Sequence, residues 1–245
     1  MSIRTDLEAM RIDPRGAALF HTSMKAIGPC FGGPDDVLHG LMGYFGDGVM
    51  AFPALSFEIC YQRERVFDVE KTPSCIGLLP ERFRLMPGVG RSIHPTHSVC
   101  AYGALAAAFL EGHEYTDTPC GRNSPWGRLV ELDADILMVG CDLRHCTFLH
   151  GVEEWAVPGL HLGSLLDFTL LVPGRPPRTM WSRPHFGSPS LQFDRVEGAL
   201  EEGGALRRGK LGNAMVLVVN AVAANRIVGS MLRDNPRLFD SEAVR

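Results

Sequence analysis

The sequence predicts an α/β protein with a mixed sheet covered by helices. Two patterns carry that expectation. Short apolar runs recur at Ala17-Ala18-Leu19-Phe20, Val49-Met50-Ala51-Phe52, Ile136-Leu137-Met138-Val139 and Met215-Val216-Leu217-Val218-Val219, as expected of buried strands bounded by turn residues. Between them lie helix starts, most plainly Pro34-Asp35-Asp36 and Ser124-Pro125, where proline suits the first turn and serine or acids suit the positive end. Apolar residues are 45% of the 245-residue chain, enough for a sizeable core, so one domain over 1–245 is expected.

Ile3, Leu7 and Met10 fall at helical spacing and predict a first helix,. The strand from Ala17 to Phe20 then delivers His21, Thr22 and Ser23 at its C-terminal end. A turn rich in Gly28, Pro29, Gly32 and Gly33 precedes the helix opened by Pro34, and Pro53 stops the strand from Val49. This strand, helix, strand order implies a βαβ unit and a largely parallel sheet. Residues 56–74 read as an irregular loop, and Leu78 to Leu85 as a short helix. Ser98 is placed to cap a helix running through Ala101 to Leu110, and Ser124 to cap another,. After the strand ending at Gly140 come a strand from Phe168 to Val172 and a proline-rich loop from Pro173 to Pro189. Helices from Asp194 to Glu202 and Ala221 to Leu232 flank the strand from Met215.

The balance of 24 basic and 28 acidic residues gives a net charge of −4. With no basic run, a nucleic-acid partner is not expected. No apolar signal core follows Met1, and no stretch approaches the roughly 18 apolar residues of a membrane span, so a cytoplasmic protein without a membrane partner is expected,. Seven scattered cysteines make a poor disulfide framework,. The oligomeric state, monomer or homo-oligomer, is left open.

Three segments carry groups suited to chemistry. In Thr147-Phe148-Leu149-His150-Gly151-Val152-Glu153-Glu154, His150 and Glu153 share a helix face,. A carboxylate beside an imidazole fixes its tautomer and raises its basicity. Glu154 is also within helical reach, and a surface ion pair is the structural alternative. Arg91-Ser92-Ile93-His94-Pro95-Thr96-His97-Ser98 gathers a cation, two imidazoles and three hydroxyls before an expected helix start, where unpaired N–H groups suit a phosphate or an oxyanion. His21-Thr22-Ser23 precedes a glycine-rich turn, without a dinucleotide or P-loop pattern,. Cys141, His145, Cys146 and His150 supply zinc-type ligands in ten residues, though at no common zinc spacing. A zinc-dependent hydrolase using them is the competing reading, and no metal is expected in the main one.

Together these segments resemble the aminoglycoside 3-N-acetyltransferase family. The likeness rests on Leu19-Phe20-His21-Thr22-Ser23-Met24, Ile27-Gly28-Pro29-Cys30-Phe31-Gly32-Gly33, Val49 to Ala54, Thr72 to Gly77, Arg82-Phe83-Arg84, Arg91 to Val99, Ser124-Pro125 and Thr147-Phe148-Leu149-His150 with Glu153, in the family's order. The resemblance implies a three-layer α/β/α sandwich and direct acyl transfer from acetyl-CoA, or another acyl-CoA, to the amine of a small molecule. It implies His150 as general base oriented by Glu153, with Thr147 or backbone N–H groups near Ser98 at the oxyanion. It places Thr22, Ser23, Arg91, Ser92 and Ser98 near the coenzyme. Departures from the pattern leave open an acceptor other than an aminoglycoside, a larger acyl group, and an acyl carrier protein as donor. These are His21-Thr22-Ser23-Met24, Ala51-Phe52-Pro53-Ala54 and a short Ser56–Thr72 loop. A non-catalytic coenzyme-binding protein of the same fold is the remaining alternative.

Overall fold

The computed structural model describes residues 2–240. Helix α1 (Ile3–Ala9) leads to β1 (Ala17–Thr22), α2 (Met24–Ile27), α3 (Pro34–Tyr44) and β2 (Val49–Pro53). Next come α4 (Phe57–Gln62), β3 (Val66–Asp68), α5 (Leu78–Arg84), β4 (Gly90–Arg91), β5 (Val99–Tyr102) and α6 (Ala106–Leu110). The chain continues through α7 (Pro125–Glu131), β6 (Asp135–Val139), α8 (Phe148–Ala156), β7 (Leu166–Leu171) and β8 (Arg178–Ser182). It then forms α9 (Glu197–Glu202), β9 (Leu206–Leu211), β10 (Ala214–Asn220) and α10 (Ala221–Asp234).

Seven strands form the main sheet in the order β4-β5-β2-β1-β6-β10-β9. Only β2, β1 and β6 run parallel, with Ala17 opposite Val49 and Thr22 opposite Val139. The strands beyond them on both sides are antiparallel. The sheet is therefore mixed, and the expectation of a largely parallel one holds for its centre alone. Alternation along each strand builds two cores. Leu19, Ala51, Ile136 and Met138 pack on one face with Trp126, Phe148, Val152 and Val228 from α7, α8 and α10. Ala18, Phe20, Met50, Phe52, Leu137 and Val139 pack on the other with Leu7, Leu38, Leu41 and Phe83 from α1, α3 and α5. The result is the expected three layers, α/β/α.

Four expectations are corrected. Val99 to Tyr102 is a strand, because its backbone pairs with β2 and its small buried side chains fit the sheet. The helix expected after Ser98 begins only at Ala106. Residues 56–74 hold α4 and β3 rather than a plain loop, and 173–189 hold β8. These strands form a separate sheet in the order β3-β7-β8 over its own core of Cys60, Phe67, Phe168, Leu170 and Met180. The helix expected from Asp194 starts at Glu197, after a 3-10 stretch opened by Pro189. The edge strand β9, Leu-Arg-Arg-Gly-Lys-Leu, was not foreseen; its charges are the usual guard of an exposed sheet edge,.

Candidate active site

Because β2, β1 and β6 are parallel, their carboxyl ends face one side. β1 feeds β2 on one flank and lies against β6 on the other, the arrangement that opens a crevice at a switch point. A cavity of about 1100 Å³ occupies that end, walled by residues from β1 and α2, from 140–150 after β6, from α4 and from 185–193. Gly140 makes the turn out of β6. Its φ is +67°, and a Cβ there would stand 2.2 Å from the Cβ of Ala26.

Helix α8 presents His150 to this cavity. Phe148, Leu149 and Val152 bury its inner face, which turns His150 and Glu153 together toward one side. His150 Nδ1 lies 3.1 Å from Glu153 Oε2. Glu153 is 1% exposed, and its other oxygen meets His161 Nδ1 at 2.8 Å. His161 Nε2 in turn reaches Asp240 at 3.3 Å. Burial pushes the Glu153 carboxyl upward, but the hydrogen bonds from His150 and His161 outweigh it and hold it below the usual range,. The bond to Glu153 and a second to Asp240 raise the His161 pKa. For His150, burial and the neighbouring His185 outweigh Glu153, so its pKa falls below the ordinary value and the ring is neutral at neutral pH,. A neutral ring that donates Nδ1–H to Glu153 carries its lone pair on Nε2.

Other imidazoles surround it. His185 stacks on His150 with centroids 4.3 Å apart and planes at 18°. His185 Nε2 donates to Glu154 Oε1 at 2.7 Å, and the Cys120 N–H donates to the same oxygen at 3.0 Å. Burial raises the Glu154 pKa to about 7 and lowers that of His185 to about 4. Phe193 closes the edge of His150 at 4.8 Å. Deeper in, two tautomers are set by backbone partners. His94 Nδ1 accepts from the His97 N–H at 3.0 Å, which leaves Nε2–H to face Ser182. His113 Nε2–H donates to the Pro119 carbonyl at 2.9 Å, so Ser92 donates to its Nδ1.

The structure brings Thr22, Ser23, Thr147 and His150 to the cavity wall. The Thr22 hydroxyl is buried without a partner among the described residues; Ser23 caps α2 through the Ala26 N–H. Arg91, Ser92 and Ser98 stand behind the wall. Arg91 donates to the carbonyls of Val69, Thr72 and Ala54 and to Ser98, and lies over the Phe67 ring at 4.8 Å. Burial lowers its pKa to about 10, so it stays cationic while it ties 54–72 to the main sheet. Ser92 is bonded to His113 and Ser98 to the Ala54 carbonyl. With β5 in place of a helix, no helix start near Ser98 offers N–H groups.

The zinc cluster expected as an alternative does not assemble. Cys141, His145, Cys146 and His150 are not brought within ligating reach of one another among the described residues. His145 is exposed and paired with Asp142. Burial pushes the thiols of Cys141 and Cys146 up to about 12. The group that does converge is Cys120, Glu154 and His185; Glu154 Oε1 already accepts from His185 and the Cys120 N–H, while Glu154 Oε2 and His185 Nδ1 have no partner among the described residues. Of the two acids open to His150, Glu153 takes the ring and Glu154 takes His185. His161, Asp240 and His185 were not singled out in the sequence, where they sit in segments with no periodic or motif signal. No helix among the described residues is long and apolar enough to cross a membrane.

Known proteins are similar to this chain in sequence and architecture. Residues 19–233 match the family described as aminoglycoside 3-N-acetyltransferase. Aminoglycoside N(3)-acetyltransferase VII of Streptomyces paromomycinus is 30% identical over 217 residues, covering 80% of this chain and 71% of that protein. Aminoglycoside N(3)-acetyltransferase VIII of Streptomyces fradiae is 31% identical over 173 residues, 63% of this chain and 60% of that one. The crystal structure of aminoglycoside acetyltransferase AAC(3)-Xa superposes with a TM-score of 0.81 at 27% identity, over 97% of this chain and 92% of that one. AAC-IIIb, solved as a binary complex with CoASH, shares the fold with a TM-score of 0.82 at 24% identity over 95% of each chain. With its sheet order, its switch-point cavity and these matches, the chain belongs to the aminoglycoside 3-N-acetyltransferase family.

Proposed function

We propose that this chain transfers an acetyl group from acetyl-CoA directly to the amine of a small molecule, with His150 as general base. The observation that carries the proposal is the Glu153 carboxylate gripping His150 Nδ1 while the ring lines the cavity. An amine that reaches the site as ammonium must lose a proton before it can attack. His150 accepts that proton at Nε2, and Glu153 steadies the imidazolium formed. The amine nitrogen then bonds to the thioester carbonyl carbon. Thr147, at the cavity wall one turn before His150, is positioned to donate its hydroxyl to the developing oxyanion. Collapse breaks the carbon–sulfur bond, the new amide nitrogen releases its extra proton, and the leaving thiolate takes that proton up. Thr22 and Ser23 line the same cavity and supply hydroxyls for the coenzyme arm. Holding both substrates in one cavity provides much of the acceleration without a covalent intermediate.

The test is thiol release from acetyl-CoA across an amine panel, together with calorimetry of coenzyme binding. His150→Ala should lose about 10²–10⁴-fold in turnover with coenzyme affinity little changed. A fully active variant refutes the base role. No release with any amine refutes acetyl transfer.

A further inference from the structure

We infer that the acceptor is an amine with a single cationic centre on an apolar, aryl-bearing body, rather than a polycation such as an aminoglycoside. This rests on the acetyl-transfer reading above and narrows its substrate.

The charges on the cavity wall carry the first half of the argument. The wall holds Lys25 and Arg144, and Asp142 is its one carboxylate among the described residues. Asp142 is already committed. It binds the Arg144 guanidinium and, at 3.1 Å, His145 Nδ1. The bond from Arg144 holds its carboxyl below the usual range. Glu153 and Glu154 stand behind the imidazoles, the first taken by His150 and His161, the second by His185 and the Cys120 N–H. Glu58, the acid of α4, is exposed and is not part of the wall. An ammonium group that leaves water needs a carboxylate or several acceptors in return. A molecule with four or five such groups finds no free carboxylate on this wall among the described residues. One ammonium at His150 is a different case, since it gives its proton to the ring and reacts as the neutral amine.

The shape of the opening carries the second half. Tyr61, Leu78 and Phe186 are 43%, 50% and 56% exposed, and all three line this cavity. Phe57 stands one helical turn before Tyr61 on the same wall. Large apolar side chains left in water around one opening mark a surface built to be covered. The stacked, flat pair of His150 and His185 continues it inward. Aromatic rings of this kind offer faces and edges to an aryl group and a π-face to a single ammonium. Lys25 and Arg144 on the same wall suit the phosphates of the coenzyme,, and the aromatic lining is assigned to the acceptor.

The experiment compares 2-phenylethylamine and tyramine with kanamycin on the full chain. One arm reads kcat/KM for thiol release from acetyl-CoA. The other reads equilibrium binding of the same amines to the protein saturated with CoA, which needs no turnover. The aryl monoamines should exceed kanamycin by about tenfold or more in both arms, and raising salt should change their values little. Kanamycin matching or exceeding them overturns the inference. Where no amine is turned over, the acetyl-transfer reading falls and the binding arm still decides this one. A double variant, Tyr61→Asp with Phe186→Asp, places carboxylates at exposed positions of the rim. It should move the monoamine-to-kanamycin ratio toward kanamycin by about fivefold or more; an unmoved ratio overturns the charge argument.

Discussion

The assignment of His150 as base depends on where its proton sits, and that is set by burial and by three neighbours: Glu153 on the same helix, and His185 and His161 from loops. Glu153 favours the imidazolium; burial and the His185 ring disfavour it, and His161 draws part of the Glu153 charge to itself. Since burial leads, the acid limb of kcat/KM should lie below the ordinary imidazole value of about 6.5. Glu153→Gln keeps a hydrogen-bonding group of similar shape but removes the anion. The imidazolium then loses its stabiliser, so the His150 pKa falls, the acid limb moves to lower pH, and the plateau drops by about 10–100-fold. A pH–rate profile from 5 to 9 reads both effects. A limb that stays in place while the plateau drops would give Glu153 a purely structural part.

At the level of elements, β6 and α2 meet closely at Gly140 and Ala26 beside the cavity. Gly140→Ala forces a side chain into the left-handed region and against Ala26. It should cost about 2–4 kcal/mol of stability, seen as a lower melting temperature and weakened coenzyme binding. The central strands were legible because both their faces are buried, so they read as unbroken apolar runs. Helices α3 and α7 were legible from their proline starts. β5 was not: Cys100 and Ala101 are small enough to suggest a helix, and only pairing with β2, distant in sequence, makes them a strand,. β3 and β8 were missed for the same reason, being short and stabilised by partners far along the chain. Within the site, His150 and Glu153 could be read from one helix face. The contacts of His185 and His161 belong to loops whose position no local pattern fixes.

Across the molecule, the number of buried neutral imidazoles governs acid stability. Burial pulls His21 and His113 down to about 3 and His185 to about 4, and it lowers His94, His97 and His150 as well. In the unfolded chain each takes up a proton near pH 6.5. As pH falls below that value the unfolded state gains protons that the folded state refuses, at about 1.4 kcal/mol per pH unit for each of His21, His113 and His185 until their folded values are reached,, and in the same direction for His94, His97 and His150. The raised pKa of Glu154 acts in the opposite sense between about 7 and its unfolded value of 4.5, one group against six. The raised pKa of His161 contributes stability that is complete below 6.5 and fades as pH rises through its folded value. The net loss is comparable with a whole domain stability of about 5–15 kcal/mol. Melting temperature should therefore fall steeply from pH 7 to pH 5, with cooperative unfolding complete before pH 4. A melting temperature unchanged between pH 7 and 5 would show that these rings titrate freely.

The burial of the cysteines has a practical side. All seven are free, and in six of them, Cys60, Cys75, Cys100, Cys120, Cys141 and Cys146, burial raises the thiol pKa. Only the thiolate attacks a disulfide reagent. Native protein treated with Ellman's reagent at pH 7.5 should thus release about one equivalent of colour quickly, from Cys30, and about seven after denaturation. A chromogenic assay for liberated coenzyme would then run against a background limited to about one thiol per enzyme molecule.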